Sequence, residues 1–150
     1  MKKLILLIVI TFVTFTDVIA QVEYKIITSV ESIVPNGLGR SRIVSANEDR
    51  DYREFTSEQT EEDNTRNKSK RKDIRVKDFE ETKLLNFYNL GGIRFQNIAA
   101  NDAVLTSKIN AMIEEGWELA FVTSAVESEA GKGDGNGIFI TRFIFKRNKQ

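Results

Sequence analysis

The chain has 150 residues, with 22 basic and 22 acidic side chains and hydrophobic residues at 41% of its positions. This composition supports one domain with its own core, and the balanced charge lacks the basic excess typical of nucleic-acid binding. The sequence contains neither histidine nor cysteine. Ser-His-Asp and Cys-His catalysis are therefore excluded, the usual zinc ligands are missing, and we expect no metal or cofactor.

The first twenty residues have the pattern of a cleaved signal peptide. Lys2 and Lys3 precede an apolar run at residues 4–13, and a more polar stretch leads to Ala20. We expect cleavage after Ala20, a chain that begins at Gln21, and export to the periplasm or the cell exterior without a stable membrane anchor. The alternative is an uncleaved anchor, because the span from Leu4 to Ala20 is close to the lower limit of about 17 residues for crossing a bilayer.

Residues 21–44 begin the folded domain with a predicted strand and a turn. The stretch QVEYKIITSV alternates, so that one face carries most of the apolar side chains, namely Val22, Tyr24, Ile26, Thr28 and Val30. This alternation indicates a half-buried strand. The segment PNGLGRSR follows, and its proline and glycines predict a turn.

Residues 45–83 differ sharply in composition, being rich in charge, acidic at first and basic from Arg66 to Lys77. Such a segment has too few apolar groups to offset an ordering cost of about 1 to 2 kcal/mol per residue for the backbone. We interpret it as a disordered, charged insert. An exposed helix stabilised by opposite charges is the alternative.

Residues 84–150 carry most of the apolar side chains. The stretch from Leu84 to Ala100 is aromatic and irregular, which is typical of a plug that covers a sheet. Asn101 is a candidate helix cap, and an apolar stripe follows at Leu105, Ile109, Met112 and Ile113. Gly116 supplies a left-handed exit residue, so we predict one docked helix of about four turns.

Two predicted strands follow the helix and flank the glycine-rich stretch EAGKGDGNG. The first begins at Trp117, which we expect to pack in the core, and the second, GIFITRFIFKR, is apolar on both sides. The glycine pairs predict a hairpin bend. A phosphate loop would need Lys132 followed by Ser or Thr and a helix, and a calcium loop would need more oxygen ligands.

The order of these motifs resembles a small bacterial domain family of unknown function. That family is marked by a Gly-Trp-Glu-Leu step after a helix, here residues 116–119, by a Tyr-Lys strand at its start, here Tyr24 and Lys25, and by a closing strand, here ending in Phe145-Lys146-Arg147. The resemblance covers about half of the chain after residue 20, in two pieces. It implies a β-α-β-β fold and no particular activity.

Two groups of residues are candidates for a functional site. Glu31 and Glu127 end similar strand segments, TSVES and TSAVES, and a strand between them would hold them about 9.6 Å apart, which is suitable for carboxylate-dependent hydrolysis. Arg40, Ser41 and Arg42 form a turn that is suited to binding a carboxylate or sulfate. The alternatives are solvated glutamates and an ordinary surface turn with an ion-paired arginine.

We therefore expect an α+β fold, a two-layer β-α-β-β domain made by residues 21–44 and 84–150. A three-stranded, mainly antiparallel sheet, with the C-terminal strand in the middle, would pack on one helix. One helix covers one face, so the aromatic plug or a second subunit must cover the other. We predict an exported, non-catalytic binding or assembly module that partners a second copy or an envelope protein. A hydrolase acting on glycans or cell-wall material is the alternative.

Overall fold

A computed structural model of the protein describes residues 21–32, 41–89, 91–127 and 137–149. The predicted signal peptide, Arg40 and most of the glycine-rich bend lie outside these residues. The strands are β1 (Val22–Ser32), β2 (Arg42–Ala46), β3 (Phe79–Lys83), β4 (Tyr88–Asn89), β5 (Gly92–Ile93), β6 (Glu118–Glu127) and β7 (Ile138–Asn148). The helical segments are a 3-10 turn (Tyr52–Phe55), α1 (Arg71–Ile74) and α2 (Phe95–Glu114).

Five strands form one antiparallel sheet in the order β3-β2-β1-β7-β6, while β4 and β5 pair separately. The α+β class is confirmed, but the prediction of three strands is wrong, because β2 and β3 extend the sheet beyond β1. As a result β1, rather than the C-terminal strand, is the middle strand. The sequence of β3, FEETK, has few apolar groups, and its pairing depends on backbone hydrogen bonds that leave no hydrophobic pattern.

The helix α2 is longer than predicted, because it begins at Phe95 and not near Asn101. Asn101 lies inside the helix with only 1% of its surface exposed. Its Oδ1 accepts a hydrogen bond from the Leu85 N–H, and its Nδ2 donates to the Leu85 carbonyl and to Glu31 Oε1, all at 2.8 Å. Asn101 therefore joins the helix to β1 and to the segment after β3, and the prediction that it caps the helix is wrong.

The core lies between α2 and one face of the sheet. Its buried side chains come from the helix, from three strands and from the segments beside them: Ile27, Ile43, Leu84, Met112, Trp117 and Phe145. Val104, Leu105 and Ile109 of the helix pack against this cluster. On the same side, the rings of Phe87 and Phe139 meet with their centroids 5.6 Å apart. The aromatic segment after β3 thus packs on the side that the helix already covers.

The charged segment between β2 and β3 follows a defined path that starts as a continuation of the hairpin. Asn47 donates its backbone N–H and its side-chain amide to Asp78, at 3.1 and 3.0 Å. Glu48 accepts the N–H groups of Lys77 and Asp78, and Arg50 binds both Glu48 and the Arg75 carbonyl. These contacts close the base of the long segment that joins β2 to β3.

The prediction of a structureless insert over residues 45–83 is therefore wrong at both of its ends. Ser45 and Ala46 belong to β2, and residues 79–83 form β3. Between them, side chains bond to backbone groups; for example, Asn67 Nδ2 donates to the Glu54 carbonyl at 2.9 Å. Composition missed this arrangement because the contacts are polar and do not depend on apolar burial.

Replacing Asn101 with alanine should destabilise the domain. The part-buried Leu85 N–H and carbonyl would lose their partner, and the buried volume of the amide would be left empty, so we expect the free energy of unfolding to fall by about 1 to 3 kcal/mol. Urea denaturation followed by the fluorescence of Trp117 measures this change. Asn110→Ala, on the exposed side of the same helix, is the control and should change stability by less than about 0.5 kcal/mol. Equal effects of the two substitutions would contradict the role of Asn101.

Glu48 should titrate at a lower pH than an ordinary glutamate. The N–H of Asp78, the Arg50 guanidinium and the N–H of Lys77 favour its charged form, so its pKa is lowered. A lowered folded-state pKa means that this stabilisation is present above the unfolded-state pKa and is lost as the pH falls through the folded value. In an NMR titration, the amide signals of Lys77 and Asp78 should shift with a midpoint below the pH at which an ordinary glutamate titrates.

The control for this titration is a pair of glutamate variants. Glu48→Gln should remove the shift of the Lys77 and Asp78 amide signals, whereas Glu62→Gln, elsewhere in the same segment, should leave it in place. A midpoint equal to or above that of an ordinary glutamate in the unsubstituted protein would show that Asp78, Lys77 and Arg50 do not stabilise the carboxylate.

Candidate functional site

The face of the sheet opposite α2 is the candidate site, because no described residue packs over its centre. The strand register gathers apolar side chains from all five strands there: Val22, Tyr24, Ile26, Val30, Val44, Phe79, Phe121, Ile138, Ile140 and Ile144. Several of them are large and exposed; Tyr24 keeps 66% and Phe121 62% of its surface accessible. We call this set the uncovered face.

β1 turns its more apolar side toward solvent. Its side chains toward α2 are Glu23, Lys25, Ile27, Ser29 and Glu31, whereas the uncovered face receives its valines, its tyrosine and Ile26. Ile26 is 50% exposed although it lies on the middle strand. A strand normally buries its apolar face. Among the described residues, the exposure of β1 is therefore the reverse of the usual one, which makes this face the candidate site.

A shallow cavity of about 350 Å³ lies on the uncovered face where β1, β2 and β3 meet. Its lining includes Ile26, Val44, Val76 and Phe79. Because the walls are mostly apolar, the cavity is suited to receiving an apolar side chain of a partner. It offers no group with which to perform acid-base chemistry.

Two ion pairs border the uncovered face. Arg42 Nε lies 3.0 Å from Glu81 Oε2 between β2 and β3, and Lys146 Nζ lies 3.3 Å from Glu118 Oε1 between β7 and β6. Arg142 lies in the register between Thr28 and Thr123. Arg142 is therefore an exposed charge near the middle of the face. The face presents apolar side chains around this arginine, with balanced charge pairs at two margins.

Glu31 and Glu127 do not form a carboxylate pair. Both lie at the same end of the sheet with β7 between them, as predicted, but Glu31 is opposite Phe139 whereas Glu127 is opposite Ile138. Neighbouring residues of a strand point to opposite faces, so the sheet separates the two carboxylates. The geometry required for hydrolysis of one substrate held between them is absent, and that site prediction is wrong.

A different carboxylate lies near Glu31. Glu31 and Asp102 line a cavity of about 230 Å³ between α2 and the end of the sheet, together with Phe87, Ile98, Phe139 and two hydroxyl side chains. Glu31 accepts the hydrogen bond from Asn101 described above. The sequence reasoning missed Asp102 because a helix beginning at Phe95, rather than near Asn101, is what brings this residue over the sheet.

The predicted anion site at residues 40–42 is not assembled by its described members. Ser41 is buried; its hydroxyl donates to Asn86 Oδ1 at 2.7 Å and accepts from the Ser32 N–H at 3.0 Å. Arg42 extends to the opposite face and pairs with Glu81. The prediction that these two side chains bind one anion is therefore wrong, while Arg40 lies outside the described residues.

Gly116 and Trp117, predicted to be structural, connect α2 to β6. Gly116 has a φ of 84°, in the left-handed region that favours glycine. Trp117 is 7% exposed, and the guanidinium of Arg147 lies 4.1 Å from the centroid of its ring. Arg147 also pairs with Glu23. The arginine and the core thus occupy both sides of the indole, which leaves no face of it open for sugar stacking.

Comparisons of the chain with protein-family profiles, with curated proteins and with solved structures found no match. The resemblance to the Gly-Trp-Glu-Leu domain family therefore stays a prediction. In the described part of the chain, no helix has the length and apolar character needed to cross a membrane. Nor do three or more acidic side chains come together there as metal ligands would.

Proposed function

We propose that the protein is an exported, non-catalytic assembly module whose uncovered face packs against the same face of a second copy. The observation that carries this proposal is the orientation of β1, which turns Ile26 and Tyr24 outward and its more polar side toward the helix. Two such faces packed together would form a sandwich of two sheets, the usual way in which an apolar sheet surface is removed from water.

The size of the uncovered face suits a stable pair of chains. The sheet has two strands of 11 residues, one of 10 and two of 5. At about 3.4 Å per residue and about 4.8 Å between strands, these cover roughly 700 Å². Two copies would bury about 1,400 Å² in total, within the range of about 1,200 to 2,000 Å² of specific interfaces.

Charge also favours a second copy as the partner. The full chain carries 22 basic and 22 acidic residues, and cleavage after Ala20 would remove Lys2, Lys3 and Asp17, leaving 20 basic and 21 acidic residues. With a net charge of only −1, two copies repel each other weakly. The ion pairs Arg42–Glu81 and Lys146–Glu118 border the face without an excess of either sign, and Arg142 is the charge near its middle. A strongly acidic or basic partner would find no matching field, whereas an identical face is complementary by apolar contact.

Replacing Ile26 with lysine should break this assembly. An ammonium group placed in each half of a buried apolar interface costs free energy because it has no partner, and we expect the dissociation constant to rise by at least about 100-fold. Sedimentation velocity over a range of concentrations measures the change. Tyr24→Lys on the same face should act in the same direction.

The matched control is Ile113→Lys, on the exposed side of α2. Ile113 is 53% exposed and Ile26 is 50% exposed, so the two substitutions alter equally accessible isoleucines. Fluorescence of Trp117, the only tryptophan of the chain and located on the covered side of the sheet, reports whether each variant is folded. An unsubstituted protein that sediments as a single chain at high concentration would contradict the proposal.

Export makes a separate prediction about the amino terminus. When the protein is produced in a bacterial host with its first twenty residues intact, mass spectrometry should show a chain that begins at Gln21, recovered outside the cytoplasm. Replacing Ala20 with a bulky residue such as tryptophan should slow cleavage at that bond. Recovery of the uncleaved chain in the membrane fraction would support the anchor and contradict cleavage.

A further inference from the structure

The two edges of the sheet differ in a way that points to a second contact between copies. At one edge, β3 has only 5 residues, and three of them are charged: Glu80, Glu81 and Lys83. Both of its glutamates form ion pairs, Glu80 with Lys108 of the helix at 2.7 Å and Glu81 with Arg42. This edge is short and charged, which are features that discourage pairing with another strand.

The opposite edge is neither short nor charged along its length, although its register with β7 is irregular between Leu119 and Phe121. β6 has 10 residues, all exposed, and its sequence ELAFVTSAVE contains no proline, glycine, lysine or arginine. Acidic residues occur only at its two ends. A long edge strand of this kind presents a row of backbone donors and acceptors that another strand can pair with.

The side chains of β6 are apolar on both faces of the sheet. Val122 and Val126 lie on the side of α2, opposite Phe143 and Phe139, and Phe121 lies on the uncovered face, opposite Ile144. All three remain exposed, with Val126 at 56%. No other described element covers them, so β6 has both an open backbone edge and apolar groups beside it.

We infer that β6 pairs with β6 of a second copy in an antiparallel ladder centred on Ser124. In this register Val122 faces Val126 of the other copy, Thr123 faces Ala125, and the two Ser124 residues face each other across the two-fold axis. Each pair joins residues on the same side of the sheet, as the described register of β6 with β7 requires. The ladder spans residues 121–127.

Charge and continuity both favour a second copy at this edge. The ladder places Glu127 opposite Phe121, so no glutamate faces another glutamate. Joining the edges would continue two five-stranded sheets into one sheet of ten strands and would merge the two uncovered faces into one apolar surface. The inference extends the proposed function, because edge pairing and face packing together would give a closed assembly of four chains.

Cysteine cross-linking tests the register directly, because the natural chain has no cysteine. Directly opposite residues of an antiparallel pair have Cα atoms about 4.5 to 5.5 Å apart, which lies within the range that a disulfide spans. Under mild oxidation, Ser124→Cys should form a covalent dimer at least about tenfold faster than Thr123→Cys or Ala125→Cys, whose thiols are off the axis. Ser107→Cys, exposed on α2, is the matched serine control.

Lysine substitutions distinguish the edge pairing from the face packing of the proposed function. Ser124→Lys places two ammonium groups opposite each other in the ladder and should abolish the edge pairing, so that dimers joined by their uncovered faces remain. Ile26→Lys should abolish the face packing, so that dimers joined by β6 remain. The double variant should sediment as single chains, and Ser107→Lys should behave as the unsubstituted protein. An assembly unchanged by Ser124→Lys, or cross-linking at position 124 no faster than at position 107, would overturn the edge pairing alone.

Discussion

One helix cannot cover both sides of a five-stranded sheet, and this constraint governs the rest of the structure. The sheet formed by residues 22–32, 42–46, 79–83, 118–127 and 138–148 has apolar side chains on each of its faces. The helix Phe95–Glu114 and the aromatic segment before it both pack on the same side. Among the described residues, the other side therefore remains a broad and largely apolar surface, whose exposure to water is unfavourable.

The orientation of the helix depends on a small number of polar contacts as well as on the core. Asn101 bonds at once to the backbone of Leu85 and to Glu31, so one buried amide holds the helix, the segment after β3 and β1 in fixed relation. Apolar contacts alone tolerate sliding, whereas a buried amide with three partners has few alternative positions that satisfy all of them. These polar contacts and the apolar core lie on the same face of the sheet, the one that the helix covers.

The sequence predicted the parts of the fold that have periodic apolar patterns. The strand beginning at Val22, the helix ending before Gly116 and the two C-terminal strands were all visible in this way. The strand from Phe79 was not, because a charged edge strand is defined by its pairing partner and not by its own side chains. The alternation around Ile26 revealed an apolar face, but it could not show that the helix packs on the opposite one, since that outcome depends on tertiary contacts.

The predicted site residues are kept apart for the same physical reason. A difference of one residue in register moves a side chain to the other face of a sheet, and this difference separates Glu127 from Glu31. Ser41 and Arg42 are separated by the same alternation. Proximity along the chain or along the sheet edge was predictable from the sequence, but the face on which each group lies required the complete register.

The contacts that close the base of the segment between β2 and β3 affect how this protein can change over evolutionary time. Since Asn47, Glu48 and Asp78 complete the hairpin before the chain departs, the residues beyond them can lengthen, shorten or change charge without a shift in strand register. Such a segment is free to diversify while the scaffold below it stays constant. New surface chemistry could thus be acquired at little cost to the folded core.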